Sequence, residues 1–303
     1  MPQNSIDVAA LEQLRESGDY DKITCQLGDR WQLPFEFEDE VIRLRLLAAE
    51  LAGRSGDIEG METALGPLLD GIDRVPFSLA PRVLLTIALY HYRRNEPTEA
   101  HRLALIAETV AVAREDEPAR GEAVQLQGQA LWSLERWDEA ARCFEKSIDI
   151  YGEGARSYRL GLAYLCLGAV RNRMGAVEEA RTTLERAIKV LLKSHDEYNL
   201  AVARVNVALA LNVIGEHETA LNYLNFAQAT FERIGHDQYT YLTLNNIAAT
   251  LVWLKEYERA EAVANRAIEM GVKVRTTQIA STYEIKARVH LARREWADAE
   301  RVL

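Results

Sequence analysis

Two histidine–aspartate dipeptides, His195-Asp196 and His236-Asp237, are the residues of this chain that come nearest to a reactive pairing, that of a metallophosphohydrolase. They stand at matching places in two loops between helices, with the aspartate opening the next helix, so helix capping explains them better. His91, His101, His217 and His290 form no His-Glu-x-x-His pattern and cluster with no cysteine, which leaves a metal site without support. Gly152-Glu153-Gly154 lacks the third glycine and the preceding strand of a phosphate-binding loop. Cys25, Cys143 and Cys166 lie far apart with no Cys-x-x-Cys pair, a reduced intracellular pattern. Cys166 falls at a repeat position, where a small apolar filler is expected rather than a nucleophile. No catalytic, cofactor-binding or metal-binding set is expected, and the chain reads as a non-enzyme.

The elements that would position any site are set by a repeat. Arg136-Trp137-Asp138-Glu139-Ala140 is followed in step by Ala176-Val177-Glu178-Glu179-Ala180, Glu216-His217-Glu218-Thr219-Ala220 and Glu256-Tyr257-Glu258-Arg259-Ala260. The marker alanines are 40 residues apart, and Met61, Ala100 and Ala299 extend the register at 39 or 40. Twelve residues before each marker lies a second small residue: Ala49, Ala88, Gly128, Gly168, Ala208, Ala248 and Ala287. Seven residues after it comes a third, at Ala107, Ser147, Ala187, Ala227 and Ala267, with Phe144, Leu184 and Leu224 between. Small residues on two antiparallel helices let their axes approach to about 8–10 Å, so the pattern predicts helical hairpins crossing at these points. A period in this range marks a solenoid, whose units bury their apolar faces only on their neighbours. Gly18, Gly56, Gly175 and Gly215 each stand about two residues before a second helix, where a turn must stop the first.

Composition agrees. The 303 residues are 48% hydrophobic and 27% charged, enough for a continuous core. A net charge of −10 argues against direct nucleic-acid binding, which needs a basic surface, and permits a cationic partner. The start, Met1-Pro2-Gln3-Asn4-Ser5-Ile6-Asp7, lacks the regions of a signal peptide, and no apolar run approaches a membrane span of about 18–20 residues. A cytoplasmic protein with no membrane contact is expected.

The small–large pattern resembles the tetratricopeptide repeat, best at Tyr164-Leu165-Cys166-Leu167-Gly168 and Ala180-Arg181-Thr182-Thr183-Leu184-Glu185-Arg186-Ala187. The period departs from that family's 34 residues. It is similar to the longer-helix class found in bacterial Rap- and MalT-type regulators and in kinesin-light-chain and Pins-type adaptors. The resemblance implies an all-α, right-handed superhelical solenoid of about eight antiparallel hairpins. Residues 1–34 read as a degenerate capping hairpin, with Leu11 where a small residue should be, and 35–303 as the solenoid. The last hairpin stops about two turns into its second helix. A truncated repeat is therefore expected, with an apolar edge at Ile285, Trp296 and Leu303 open to self-association.

The resemblance also implies that the first helix of each hairpin lines a concave groove. Its positions fall on Asn172 and Arg173, on Asn206, Leu209, Asn212 and Val213, and on Asn245, Asn246 and Trp253. An asparagine side chain carries both donor and acceptor, as a peptide group does, so an asparagine ladder suits an extended peptide. The competing reading is that these amides bond to loops and neighbouring helices. Nearer the N-terminus Arg43, Arg54, Arg82 and Arg93 fall at groove positions with Glu50 and Glu122 in opposition. They form a candidate patch for an anionic partner, unless solvated or paired locally. The implied function is protein or peptide recognition, as the sensory arm of a larger bacterial regulator with an output domain beyond Leu303. The alternative is a constitutive assembly scaffold.

Overall fold

The structure is a computed structural model and describes residues 7–32, 34–152, 158–194 and 196–302. These residues form helices and turns, with no strand among them. The helices follow in pairs: α1 (Val8–Ser17) with α2 (Tyr20–Leu27), α3 (Asp39–Ser55) with α4 (Ile58–Asp70), α5 (Ala80–Arg93) with α6 (Pro97–Ala113), and α7 (Glu117–Ser133) with α8 (Trp137–Tyr151). Then come α9 (Tyr158–Met174) and α10 (Val177–Leu191), α11 (Glu197–Ile214) and α12 (His217–Arg233), α13 (Asp237–Trp253) and α14 (Tyr257–Lys273), and α15 (Ile279–Ala292) and α16 (Trp296–Val302).

The markers sit where the spacing predicts. Ala100, Ala140, Ala180, Ala220, Ala260 and Met61 are fully buried, as are Ala49, Ala88, Ala208, Ala248, Ala107, Ala187, Ala227 and Ala267. Gly128 shows why the position must be small. A Cβ there would lie 2.7 Å from the Phe144 ring, so the large residue of the second helix fills the space the first leaves empty. Helix starts are capped by aspartates whose carboxylates accept from backbone N–H groups: Asp7 from Ala10 at 3.0 Å, Asp57 from Gly60 at 2.8 Å, Asp116 from Ala119 at 3.0 Å. The turn between the two helices of a hairpin contains a left-handed residue, Gly175 (φ 80°) or Gly215 (φ 94°). The same place is held by Asn95, Glu135, Lys255 and Arg294 in other hairpins, with φ from 59° to 64°.

Two compact units emerge: Met1–Val170 with Lys189–Asp196, and Arg171–Ile188 with Glu197–Leu303, so that α9 and α10 contribute to both. In the first unit α3 touches α5 and α5 touches α7; in the second α11 touches α13 and α13 touches α15. Successive second helices make no comparable contact among the described elements. The first helices therefore form the inner row of each unit.

Candidate functional site

In the second unit the asparagines tie the inner row together. Asn172 donates its amide to the Asn206 carbonyl at 2.9 Å, and the Asn206 amide donates to the Val202 carbonyl one turn back, also at 2.9 Å. Asn212 donates to the Thr250 hydroxyl at 2.8 Å, while its oxygen meets Nδ1 of His217 at 3.1 Å. Thr250 in turn donates to the Asn246 carbonyl, and the Asn245 oxygen accepts from Thr282 of α15 at 2.8 Å. Of these five residues, Asn246 alone has a side chain with no hydrogen bond among the described residues. The half-buried amides thus link α9, α11, α13 and α15 in the chain's own framework, which uses much of the capacity a peptide would need.

The apolar members of that set remain open. Leu209 is 38% exposed, Val213 72% and Trp253 55%. Val213 and Trp253 share one repeat position, 40 residues apart, and Arg173 occupies it in α9. Trp253 stacks on His217 at 5.5 Å with planes 10° apart, and the Arg288 guanidinium lies 5.5 Å from its ring, so the indole is held in place while half exposed.

In the first unit the arginines are largely neutralised. Arg43 donates to Glu12 at 2.8 Å and Arg82 pairs with the same carboxylate. Arg54 reaches the buried Asp196 carboxylate at 2.9 Å and stacks over the Tyr20 ring at 3.9 Å. Arg93 is exposed and carries no such partner among the described residues. It lines a cleft of about 180 Å³ with Arg54, Gln125, Gln129 and Leu162. Sequence reasoning missed the other half of the network. Arg15 of α1 donates to Glu50 at 2.6 Å and to Glu122 at 2.9 Å; Arg159 of α9 meets Glu122 at 2.8 Å and Glu16 at 3.4 Å. Residues 12, 15 and 16 lie outside the repeat register, so periodicity gives no signal for them. Burial alone would raise the Glu50 pKa, but Arg15, Arg82 and Arg159 override it and hold the carboxyl at about 2.

The residues considered for chemistry fall elsewhere. His236 itself caps α13, facing the Tyr239 N–H at 3.5 Å, and Asp237 opens the helix and pairs with Lys273. His195, Glu153, Gly154 and Leu303 lie outside the described residues. Ile285 is buried and Trp296 is 64% exposed. Burial pushes the Cys166 thiol up to about 11, away from a nucleophilic thiolate. His290, Glu295 and Asp298 bring one potential ligand atom each within 4.8 Å of one another. His290 and Glu295 bond at 2.7 Å across a hairpin turn, as His91 and Glu96 do at 2.6 Å, which marks a turn-closing contact of the repeat. No helix of the described residues is long and apolar enough to cross a membrane.

Comparison with known proteins follows the same lines. A tetratricopeptide-repeat family model matches residues 242–274, and one for anaphase-promoting complex subunit 5 matches 73–121 and 124–213. No curated protein matches in sequence. Among solved structures, a signal transduction ATPase with a tetratricopeptide repeat sensor from Pyrococcus horikoshii aligns at TM-score 0.73 and 16% identity. It covers 99% of this chain and 47% of its own, so this chain spans about half its length. A Rap protein complexed with Competence and Sporulation Factor aligns at 0.70 and 15% identity, covering 97% and 88%. The APC/C hetero-tetramer Cut9-Hcn1 aligns at 0.72 and 15%, covering 96% and 51%. At these identities the likeness establishes the fold. With the buried 40-residue register, it identifies the chain as a tetratricopeptide-like, all-α helical repeat protein.

Proposed function

We propose that this chain is a non-enzymatic protein- or peptide-binding module that docks an extended segment on the inner row of its second unit, at Val213 and Trp253 with Leu209 and Asn246. One observation carries the reading. Two large apolar side chains recur at one repeat position and stay 72% and 55% exposed, on a row whose neighbouring polar groups are already bonded. Apolar surface that is ordered and open marks an interaction site. Asn246 supplies the free donor and acceptor for a peptide backbone. The likeness to a signal transduction ATPase with a tetratricopeptide repeat sensor and to a Rap protein complexed with Competence and Sporulation Factor supports a sensory or regulatory arm of a larger protein. A bacterial source and a cytoplasmic site of action are part of the same proposal.

A second reading, a constitutive scaffold, is favoured by the match to an anaphase-promoting complex subunit model and the likeness to Cut9-Hcn1. Selection from a random peptide display library tests the first point. Peptides enriched on the wild type should lose binding to Val213→Asp with Trp253→Ala, while the variant keeps its helical signal and melting point. Equal binding to the variant, or no enrichment, overturns the site. Solution scattering with and without a selected peptide separates the readings: a changed radius of gyration supports the sensor and an unchanged one the scaffold.

A further inference from the structure

A set of ion pairs in the first unit converges on a single turn of α1. Glu12, Arg15 and Glu16 stand at i, i+3 and i+4 and so share one face of the helix. Glu12 meets Arg43 of α3 and Arg82 of α5; Arg15 meets Glu50 of α3 and Glu122 of α7; Glu16 meets Arg159 of α9. Three side chains thus reach the first helix of four successive hairpins. A terminal hairpin that only continued the stack would touch α3, its neighbour in sequence. Here α1 also lies across the inner row.

The chemistry of the seam differs from that of the hairpin crossings. Those crossings are alanine and leucine, and opening one exposes apolar surface to water. The seam is charged on both sides, so the row beneath it, Arg43, Glu50, Arg82, Glu122 and Arg159, is hydrated once uncovered. A buried ion pair recovers little more than the cost of desolvating its members, and its main effect is to select partners of matching charge. Leu11, Ile23 and Leu27 are fully buried in the same hydrophobic cluster as Ile42 and Leu46, so an incoming helix must replace an apolar contact as well as the charged ones.

We propose that the inner row of the first unit, formed by α3, α5, α7 and α9, is a docking surface for a helix that presents an apolar residue followed by acid, base and acid within one turn. Leu11-Glu12-x-x-Arg15-Glu16 of α1 is the resident occupant, and a partner helix of this pattern binds by displacing it. The inference rests on the chain being a binding module, but it involves no residue of the Val213–Trp253 face, so the two can fail separately.

The test changes the occupant and leaves the seat intact. In the full chain carrying Glu12→Lys and Arg15→Glu, α1 faces like charges from α3, α5 and α7 and keeps only the Glu16–Arg159 pair. Hydrogen exchange should show α1 and α2 released while α3 to α8 stay protected. A fluorescein-labelled synthetic peptide of residues 7–28 should then bind this variant at least about tenfold more tightly than the wild type, whose seat is already filled. Added salt should weaken that binding. Loss of protection throughout the first unit, or failure of the variant to fold, would show α1 to be an integral part of the scaffold and overturn the proposal. Release of α1 without peptide binding would do the same. The wild type gives a check free of substitutions: in rising sodium chloride α1 should lose protection before α3, and simultaneous loss refutes displacement.

Discussion

A side chain that bonds within its own framework and one that waits for a partner respond differently to truncation, and the asparagines of the second unit supply both kinds. Asn212 donates to Thr250 and meets His217, so Asn212→Ala leaves a buried hydroxyl and a half-buried imidazole each short of a partner. The expected loss is about 1–3 kcal/mol of unfolding free energy in the free protein. Asn246 makes no such bond, and Asn246→Ala should leave stability within about 0.5 kcal/mol. Urea unfolding of the two variants checks this; equal losses would mean that Asn246 also builds the scaffold. Glu50 gives a prediction in pH. Its carboxyl sits at about 2 in the folded chain against an ordinary 4.5, so the folded state binds its proton less readily than the unfolded state. The associated stability is fully present above about pH 4.5 and is lost as pH falls through the folded value near 2. A wild-type urea series between these limits should show a decline of roughly 3 kcal/mol from this group, and Glu50→Gln should flatten that segment. An unchanged slope in the variant would mean that other carboxylates govern acid unfolding.

Between the helices of each hairpin the chain must take one left-handed step, and it does so with whatever residue stands there. Glu135 and Lys255 hold φ near 60° without glycine's freedom. Glu135→Gly and Lys255→Gly should each raise stability by about 0.5–1 kcal/mol, because the strain of the left-handed conformation outweighs the added entropy of the unfolded chain. A lower melting temperature in both would refute that balance. These turns also show what could be read in advance. The 40-residue register is legible because each crossing needs small residues at fixed offsets on both helices, and Ala140, Gly128 and Ser147 record that need directly. The turns are legible at Gly175 and Gly215 and hidden at Glu135, where backbone geometry repeats but residue type does not. The asparagine positions were visible as a face. Their bonds were not, since periodicity says where Asn212 points but not that Thr250 waits on the next first helix. The α1 seam left no periodic trace, because ion pairs such as Arg15–Glu122 join residues 107 apart from a hairpin outside the register.

Within each unit, and apart from the α1 hairpin, the described hairpins meet chiefly the one before and the one after, so a local defect should stay local. Stability in such arrays is close to a sum of unit terms and nearest-neighbour terms, without one core that fails together. The two compact units make this testable. Ala260 is fully buried in α14, and Ala260→Leu forces three extra carbons into a crossing already packed against α13. The expected cost is about 1–3 kcal/mol. Native-state hydrogen exchange should place that cost in α13 to α16, where amides would exchange through local opening at a lower free energy. Helices α3 to α8, which belong to the other compact unit, should keep their protection. If protection falls equally throughout, the chain unfolds as one cooperative body. The charged seam and the Val213–Trp253 face would then have to be treated as parts of a single equilibrium, and a partner bound at one would stabilise the other without touching it.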